Sequence, residues 1–500
     1  MSREPWSRNW DRMSFEEQRE YRDRKLAYFV RTQLYPYSQF YRKLFDENRI
    51  DPNRIRGVGD LGKLPFTSKV DIAPDADDPE KFRALVLQPD EELFDKYASG
   101  MHKARRSMNR LFRGDEFVRK QIWRQFSPVH VQFTTGHTRR PTPIMYSAED
   151  VERMAEAGRR ILELAGFGTR IDRAEASVIN LMPFAPHLAF WMSSKALDKA
   201  GILALNSGGG RVLGTQRIIN AVEDIRATGL TGMPSYVYHI LRAAAEQGCD
   251  FSSVKVLVIS GERISKGMKE KISELLEDLG AKDAVVIGAY GFTEGRKSYS
   301  ECSPDPTTGY HLYPDMDYIE LIDPKTGEPV PEGEDGELVY TCLGGQGTCV
   351  MRFRTGDLVR GGLVYEPCPS CGRIVPRIGS DITRGVEVKG FYLTKLKGTL
   401  VDQGAFFSAL ANNPGVADWQ VEIDKAEGDP YEVDLLNVYV AAEPGTTEDD
   451  LKTQIENELE LLTEVKPNRI EFLQLDQLVE RLCADGGIKE LRFVDRRPQE

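Results

Sequence analysis

Residues 284–295 read AVVIGAYGFTEG, an apolar run that passes directly into a turn carrying an aromatic, a hydroxyl and a carboxylate. A short apolar run closed by glycine fits a strand buried on both faces. The same texture recurs upstream in VHVQF (129–133), ASVINLM (176–182), GILALN (201–206) and VKVLVI (254–259), with amphipathic, helix-like stretches between the runs. That alternation predicts an α/β fold, a sheet with helices on its faces. Within 288–295 an aromatic offers a ring to a base. Thr293 offers a hydroxyl to a phosphate, and Glu294 an oxygen ligand to Mg²⁺. A plain surface turn is the competing account.

Outward from this stretch the chain changes character. Residues 14–50 have helical spacing and many charges, and Pro65-Phe66-Thr67 breaks the pattern. Between Tyr318 and Val359, DYIELID, LVYTCL and CVMRFRT read as strands around Gly- and Pro-rich turns. After residue 400 the alternation restarts, with strands near WQVEID, LLNVYVA and RIEFLQL and a helix at 448–462. The predicted organisation is a large domain over 1–385 and a small α+β domain over 398–500, joined between Gly379 and Gly398.

Three further segments carry chemistry. Residues 132–142, QFTTGHTRRPT, follow a strand-like run and combine hydroxyls, one glycine and two arginines, a set that suits a polyphosphate or, equally, a polar turn. Neither GxxxxGK[ST] nor a GxGxxG opening a helix is present, which sets aside P-loop and Rossmann readings, and Gly208-Gly209-Gly210 reads as a turn that admits close approach of a flat ligand. Arg354-Thr355-Gly356-Asp357 ends a strand and places a carboxylate where ribose hydroxyls could donate to it. Cys368-Pro-Ser-Cys371 is a knuckle that, with Cys302 and His311, supplies four ligands for a closed, structural Zn²⁺ site.

Composition narrows the class. A chain of 500 residues with formal charge −12, 40% hydrophobic and 29% charged residues is an ordinary soluble type, too long for one core and too acidic for general nucleic-acid binding. The basic stretch 102–124 stands apart and reads either as a cradle for an anionic group or as a solvated amphipathic helix pair. No run of about 18 apolar residues and no secretory leader is visible, so a cytoplasmic protein with no membrane and no nucleic-acid partner is expected. Seven cysteines, an odd number, argue against a disulfide framework.

The order TTGHTRRPT, YGFTE, RTGD and a late Lys489 in GGIKELRFVDRR resembles the adenylate-forming superfamily of acyl-CoA ligases, luciferases and adenylation domains. FYRKLFDENRIDPNRIRGVGDLGKLPFTSKVDI, MPSYVYHIL, SGER and LRFVDRR narrow it to a likeness to phenylacetate–CoA ligases. The resemblance implies ATP-dependent activation of a carboxylic acid, aromatic or apolar, to an acyl-adenylate and then to a CoA thioester, with ATP/AMP, Mg²⁺ and CoA as cofactors. It implies a phosphate loop of Thr134, Thr135, Gly136, Thr138 and Arg140. Nucleotide contacts fall on Ser260, Gly261, Glu262, Tyr290, Gly291, Phe292 and Asp357. Catalytic roles fall on Thr293, Glu294 (the Mg²⁺ ligand) and Lys489. The acid pocket is expected at Phe184, His187, Ser235 and Tyr236, and a homodimer is compatible with it. The chain departs from the family in Arg139-Arg140, where Gly-Lys is usual, and in lacking a clean hinge motif. Transfer to a non-CoA acceptor, and a non-catalytic nucleotide-binding homologue, are the alternatives.

Overall fold

The computed structural model describes residues 6–97, 100–134, 141–210, 212–262, 264, 266–384, 393–396, 399–402, 406, 409–411, 413–425, 434–463, 465–482 and 491–497. The longer helices of the large unit are α1 (Phe15–Phe29), α2 (Gln39–Glu47), α3 (Gly100–Arg113), α4 (Asp115–Phe126), α5 (Ala148–Ala165), α6 (Leu188–Ala200), α7 (Thr215–Asp224), α8 (Pro234–Glu246) and α9 (Lys266–Asp278). Two follow in the C-terminal unit, α10 (Glu448–Thr463) and α11 (Leu475–Leu482).

Four of the five predicted runs enter one sheet, while 129–133 forms a separate hairpin with a strand that follows it. After the hairpin of β1 (Pro128–Phe133) and β2 (Pro143–Ser147) come β3 (Ser177–Asn180), β4 (Leu203–Asn206), β5 (Gly229–Gly232), β6 (Val256–Ser260) and β7 (Val285–Phe292). These last five pair in parallel in the order β4-β3-β5-β6-β7. Beyond β7 the sheet continues antiparallel through β8 (Lys297–Ser300), β9 (Tyr310–His311), and two later strands at 377–378 and 363–364.

Period-two alternation explains why these strands are apolar throughout. Val178, Val256, Val258 and Ile287 face Met154, Ala157, Ile161, Met192 and Ala196 of α5 and α6. Ile179, Leu257, Ile259 and Val286 face Ile218, Val222, Ile240, Leu241, Ile272 and Leu276 of α7, α8 and α9. These strand side chains, burying apolar surface at about 25 cal/mol per Å², thus have helices to cover them, whereas Leu203 of the edge strand β4 is 64% exposed.

A four-stranded sheet joins β10 (Asp317–Ile322), β11 (Gly336–Cys342), β12 (Phe353–Val359) and a strand at 382–384, matching the predicted β-type segment. The C-terminal unit is the expected α+β fold. Its longest strands, Val416–Lys425 and Asp434–Ala442, are flanked by Phe493–Asp495 and Arg469–Phe472. Trp419, Val421, Ile423, Leu436, Val438 and Val440 pack on Leu451, Ile455 and Leu459 of α10. Tyr439 and Ala441 turn the other way onto Leu478 and Leu482 of α11.

Candidate active site

β7 and β12 lie in different sheets, yet a side chain of one meets a side chain of the other. The Tyr290 hydroxyl donates to Asp357 Oδ2 at 2.5 Å, joining the YGFTE and RTGD motifs across 67 residues. Asp357 is 5% exposed. Its N–H donates to Thr355 Oγ1 (3.0 Å), whose hydroxyl donates to the Leu338 carbonyl (2.9 Å), so the carboxylate is presented from within β12, at an irregularity marked by Gly356 (φ 76°), and not from the strand's end.

The turn after β7 is held from below. Thr293–Gly295 is a single 3₁₀ turn, and Phe292 packs edge-on against Tyr340 at 5.2 Å. A Cβ at Gly295 would lie 2.7 Å from the Phe292 ring, so only glycine fits there. Arg296 takes a left-handed conformation (φ 58°), uncommon for a residue with a side chain. Its guanidinium reaches Asp150 Oδ1 at 2.6 Å, with both side chains buried. Asp150 also accepts from Ser147 N and Oγ (3.0 and 2.8 Å) and from Gly347 N (2.6 Å). Burial pushes the Asp150 carboxyl up, but Arg296 and the N–H groups of Ser147 and Gly347 outweigh it and hold the group below the usual carboxylate range. Next along β8, Lys297 Nζ lies 3.1 Å from Asp317 and donates to the Tyr340 hydroxyl at 2.8 Å; burial lowers its pKa. Thr293 and Glu294 sit half-buried on top of this framework.

Beside the turn lies an apolar cavity between the sheet and α5 and α6. Gly158, Ile161, Met192, Ser193, Ala196 and Val258 line it, and it reaches Ser260 and Ala289 at one end and Phe167 at the other. Ser260 and Ala289 are register partners, and the residues after them are Gly261 and Tyr290. The inner end is shaped by close packing: a Cβ at Gly158 would lie 2.5 Å from the Ala196 Cβ, and one at Gly229 2.8 Å from the Phe167 ring. No charged side chain lines the cavity.

The expected pocket residues Phe184, His187, Ser235 and Tyr236 do not line this cavity. His187 caps α6, its Nδ1 lying 2.9 Å from the Phe133 carbonyl. The Ser235 hydroxyl donates to Glu262 at 2.7 Å, joining the start of α8 to the loop after β6. Phe184, 59% exposed, stacks edge-on against Phe190. Tyr236 lies over Gly210, where a Cβ would be 2.6 Å from its hydroxyl. Gly291 is exposed. Of the phosphate loop only the neck is described: Thr134 N donates to the Thr142 carbonyl and Thr142 N to Thr134 Oγ1, both at 3.1 Å. Thr135, Gly136, Thr138, Arg139, Arg140 and Lys489 lie outside the described residues.

The four candidate metal ligands come together. The ligand atoms of Cys302, His311, Cys368 and Cys371 all lie within 4.8 Å of one another. Cys302 Sγ is 3.6 Å from Cys368 Sγ, and Cys371 Sγ is 3.4 Å from His311 Nε2. A tetrahedral Zn²⁺ with Zn–S near 2.3 Å sets its ligands roughly 3.5–4 Å apart, so the donor set fits such an ion. His311 Nδ1 lies 3.3 Å from the Ser300 carbonyl, which directs Nε2 toward the sulfurs. Hydrogen bonds from Cys302 and then Cys368 hold the Cys371 thiol far down, toward thiolate. Gly372 N closes the knuckle on the Cys368 carbonyl at 2.9 Å.

Sheet, motif turn and cavity together define an α/β class of protein with hydrogen-bonded polar motifs beside an apolar cavity. Residues 64–352 match the AMP-binding enzyme family, and the chain belongs to it. The resemblance read from the motifs is thereby borne out, as are the α/β fold and the small α+β unit. Among curated proteins it is similar to phenylacetate–coenzyme A ligase of Aromatoleum evansii, 26% identical over 92% of this chain and 90% of that one. The ligase of the same name from Thermus thermophilus is 28% identical over 74% and 72%. Among solved structures, 2-hydroxyisobutyryl-CoA ligase in its postadenylation state superposes with a TM-score of 0.75 at 19% identity, over 98% of this chain and 92% of that one.

Proposed function

We propose that this AMP-binding enzyme joins a small apolar carboxylic acid to CoA in two half-reactions. In the first, a carboxylate oxygen attacks the α-phosphorus of ATP, giving an acyl-adenylate and pyrophosphate. In the second, the CoA thiol, losing its proton, attacks the acyl carbonyl and AMP leaves. The observation that carries this is the Tyr290–Asp357 hydrogen bond beside Ser260 and Ala289: nucleotide-type polar groups adjoin one end of an uncharged cavity. The likeness to two phenylacetate–CoA ligases over most of the chain supports the same acid class.

In this reading Asp357 holds the ribose hydroxyls, Tyr290 and Gly291 flank the base, and Thr293 donates to the α-phosphate. Glu294 would hold Mg²⁺, which supplies positive charge against the phosphates. Thr134, Thr135, Gly136, Thr138 and Arg140 form the phosphate loop, and Lys489 brings a cation to the transition state. Ser260, Gly261, Glu262 and Phe292 back the nucleotide. We read Phe184, His187, Ser235 and Tyr236 as the rim of the acid site, with the tail of the acid in the cavity behind. Residues 1–385 and 398–500 are read as two domains. Cys302, His311, Cys368 and Cys371 hold a structural Zn²⁺ that ties the edge of the main sheet.

An acid-dependent ATP–pyrophosphate exchange screen, with thioester formation measured in parallel, tests the proposal. Exchange plus thioester is the expected result. Exchange without thioester would point to a different acceptor, and no exchange with any acid overturns the reading.

A further inference from the structure

The helical hairpin of α3 and α4 takes no part in the site. Residues 100–126 hold eight lysines and arginines against one Asp and one Glu, a local charge of +6 in a chain of −12. Its second helix packs normally, with Val118 and Phe126 buried and Ile122 half-buried. Its first is inverted. Among the described side chains of α3 the buried one is Arg106, stacked 5.1 Å over the Phe94 ring, and Asn109 turns toward α4, where it reaches Gln121. Met108, Leu111 and Phe112, spaced i, i+3 and i+4 and therefore on one face, are 60%, 80% and 77% exposed. Ala104 lies on the same face and is exposed too. A helix that turns its large apolar residues to water while burying an arginine has a face built for something outside the chain.

The surroundings of that face say what covers it. Arg105 lies beside the strip, Lys103 farther round the helix, and Arg113 stacks 4.8 Å over Phe117 of α4; all three are exposed, as is Trp123 on α4 at 66%. The hairpin thus joins an exposed apolar strip to a local charge of +6, the pattern of helices that lie in the plane of an anionic bilayer. A second copy of the chain is disfavoured, because symmetric pairing would press two hairpins of +6 together. The contact is peripheral: no described helix is long and apolar enough to cross a membrane. The expectation of no membrane partner rested on the missing apolar run, which bears on spanning and not on surface contact. We propose that the α3–α4 hairpin docks the enzyme on an anionic lipid surface, with Met108, Leu111 and Phe112 inserted at the headgroup level. The acidic remainder of the chain is repelled by the same surface and so faces away from it.

The test is co-sedimentation of the full-length protein with vesicles of phosphatidylcholine alone and of phosphatidylcholine mixed with phosphatidylglycerol. Binding is expected only to the mixed vesicles, falling as salt is raised. Leu111→Ser and Phe112→Ser should each weaken partitioning about tenfold. Lys103→Glu with Arg105→Glu should abolish the preference for anionic lipid. All four positions are exposed, so melting temperature and pyrophosphate exchange in solution should match the parent. Failure to bind the mixed vesicles, equal binding to neutral ones, or unchanged partitioning of the serine variants overturns the proposal. Association of the hairpin with an acidic protein in place of vesicles overturns it too.

Discussion

Asp150→Asn is the substitution whose consequence follows most directly from the geometry. The change keeps the shape of the side chain and one acceptor oxygen for the N–H groups of Ser147 and Gly347, 3.0 and 2.6 Å away. What it removes is the charge opposite Arg296, a guanidinium 2.6 Å distant on a residue only 6% exposed. An arginine left buried without its counterion costs about 3–5 kcal/mol, a large share of the roughly 5–15 kcal/mol that keeps a fold together. For a unit of this size that corresponds to a melting point lower by roughly 5 °C. Because Arg296 follows the Thr293–Gly295 turn directly, pyrophosphate exchange per folded molecule should fall as well. Differential scanning calorimetry of Asp150→Asn, Arg296→Met and the double variant forms the cycle. The double variant should recover more than half of the single-site loss, since it buries neither charge alone. A single Asp150→Asn variant melting within about 1 °C of the parent, or a double variant whose losses simply add, would refute the pairing.

Four other outcomes follow. Tyr290→Phe removes the donor to Asp357 and should lower kcat/KM for ATP by about ten- to a hundredfold, the worth of one hydrogen bond to a charged group, while leaving KM for the acid unchanged in steady-state assays. Ala196→Leu extends a side chain into the cavity and should raise KM for the bulkiest accepted acid about tenfold, with ATP parameters unmoved. Elemental analysis should find one zinc per chain, and Cys371→Ser should lose it along with several kcal/mol of thermal stability. Asp150 and Asp315 are both held below the usual carboxylate range, by Arg296 and Arg160 respectively, against the opposing effect of burial. A depressed folded pKa gives stability that is complete above the unfolded value near 3.9 and lost as pH falls through the folded one. The melting point should therefore hold from neutrality to about pH 5 and drop below about pH 4.

What the sequence reveals here and what it hides divide along a physical line. Strands such as 256–259 and 285–289 are legible because burial on both faces leaves no polar side chain in them. The Cys/His set is legible because metal chemistry restricts ligand type. Asp150 is not: Ser147-x-x-Asp150 reads as the capping box of α5, which it is, and nothing local says that the same carboxylate also neutralises Arg296. The cavity is equally hidden, because Gly158, Ala196 and Phe167 line it only once α5 and α6 lie on the sheet. His187, read as part of the rim of the acid site, also meets the Phe133 carbonyl, a contact that no local sequence pattern announces. The hairpin at 100–126 was expected as a cradle or a solvated pair, because periodicity finds an apolar face without saying which way it points.

The motif turn is held by charges on either side of it as well as by the packing of Phe292. Gly288 before the turn and Arg296 and Lys297 after it are each fixed by a buried group. Glu301 accepts from Gly288 N at 2.6 Å and pairs with Lys269 of α9 at the same distance. Asp150 brings in α5, and Asp317 brings in the second sheet through Lys297. Buried pairs add little net stability over apolar packing, but they are costly to break singly and admit few alternative arrangements. That property suits a turn that must present a hydroxyl and a carboxylate at fixed positions while nucleotides come and go. It also predicts an asymmetry: substitutions of the half-buried Thr293 and Glu294 should reduce turnover with little loss of melting temperature, while substitutions in the charges beneath them should lower both.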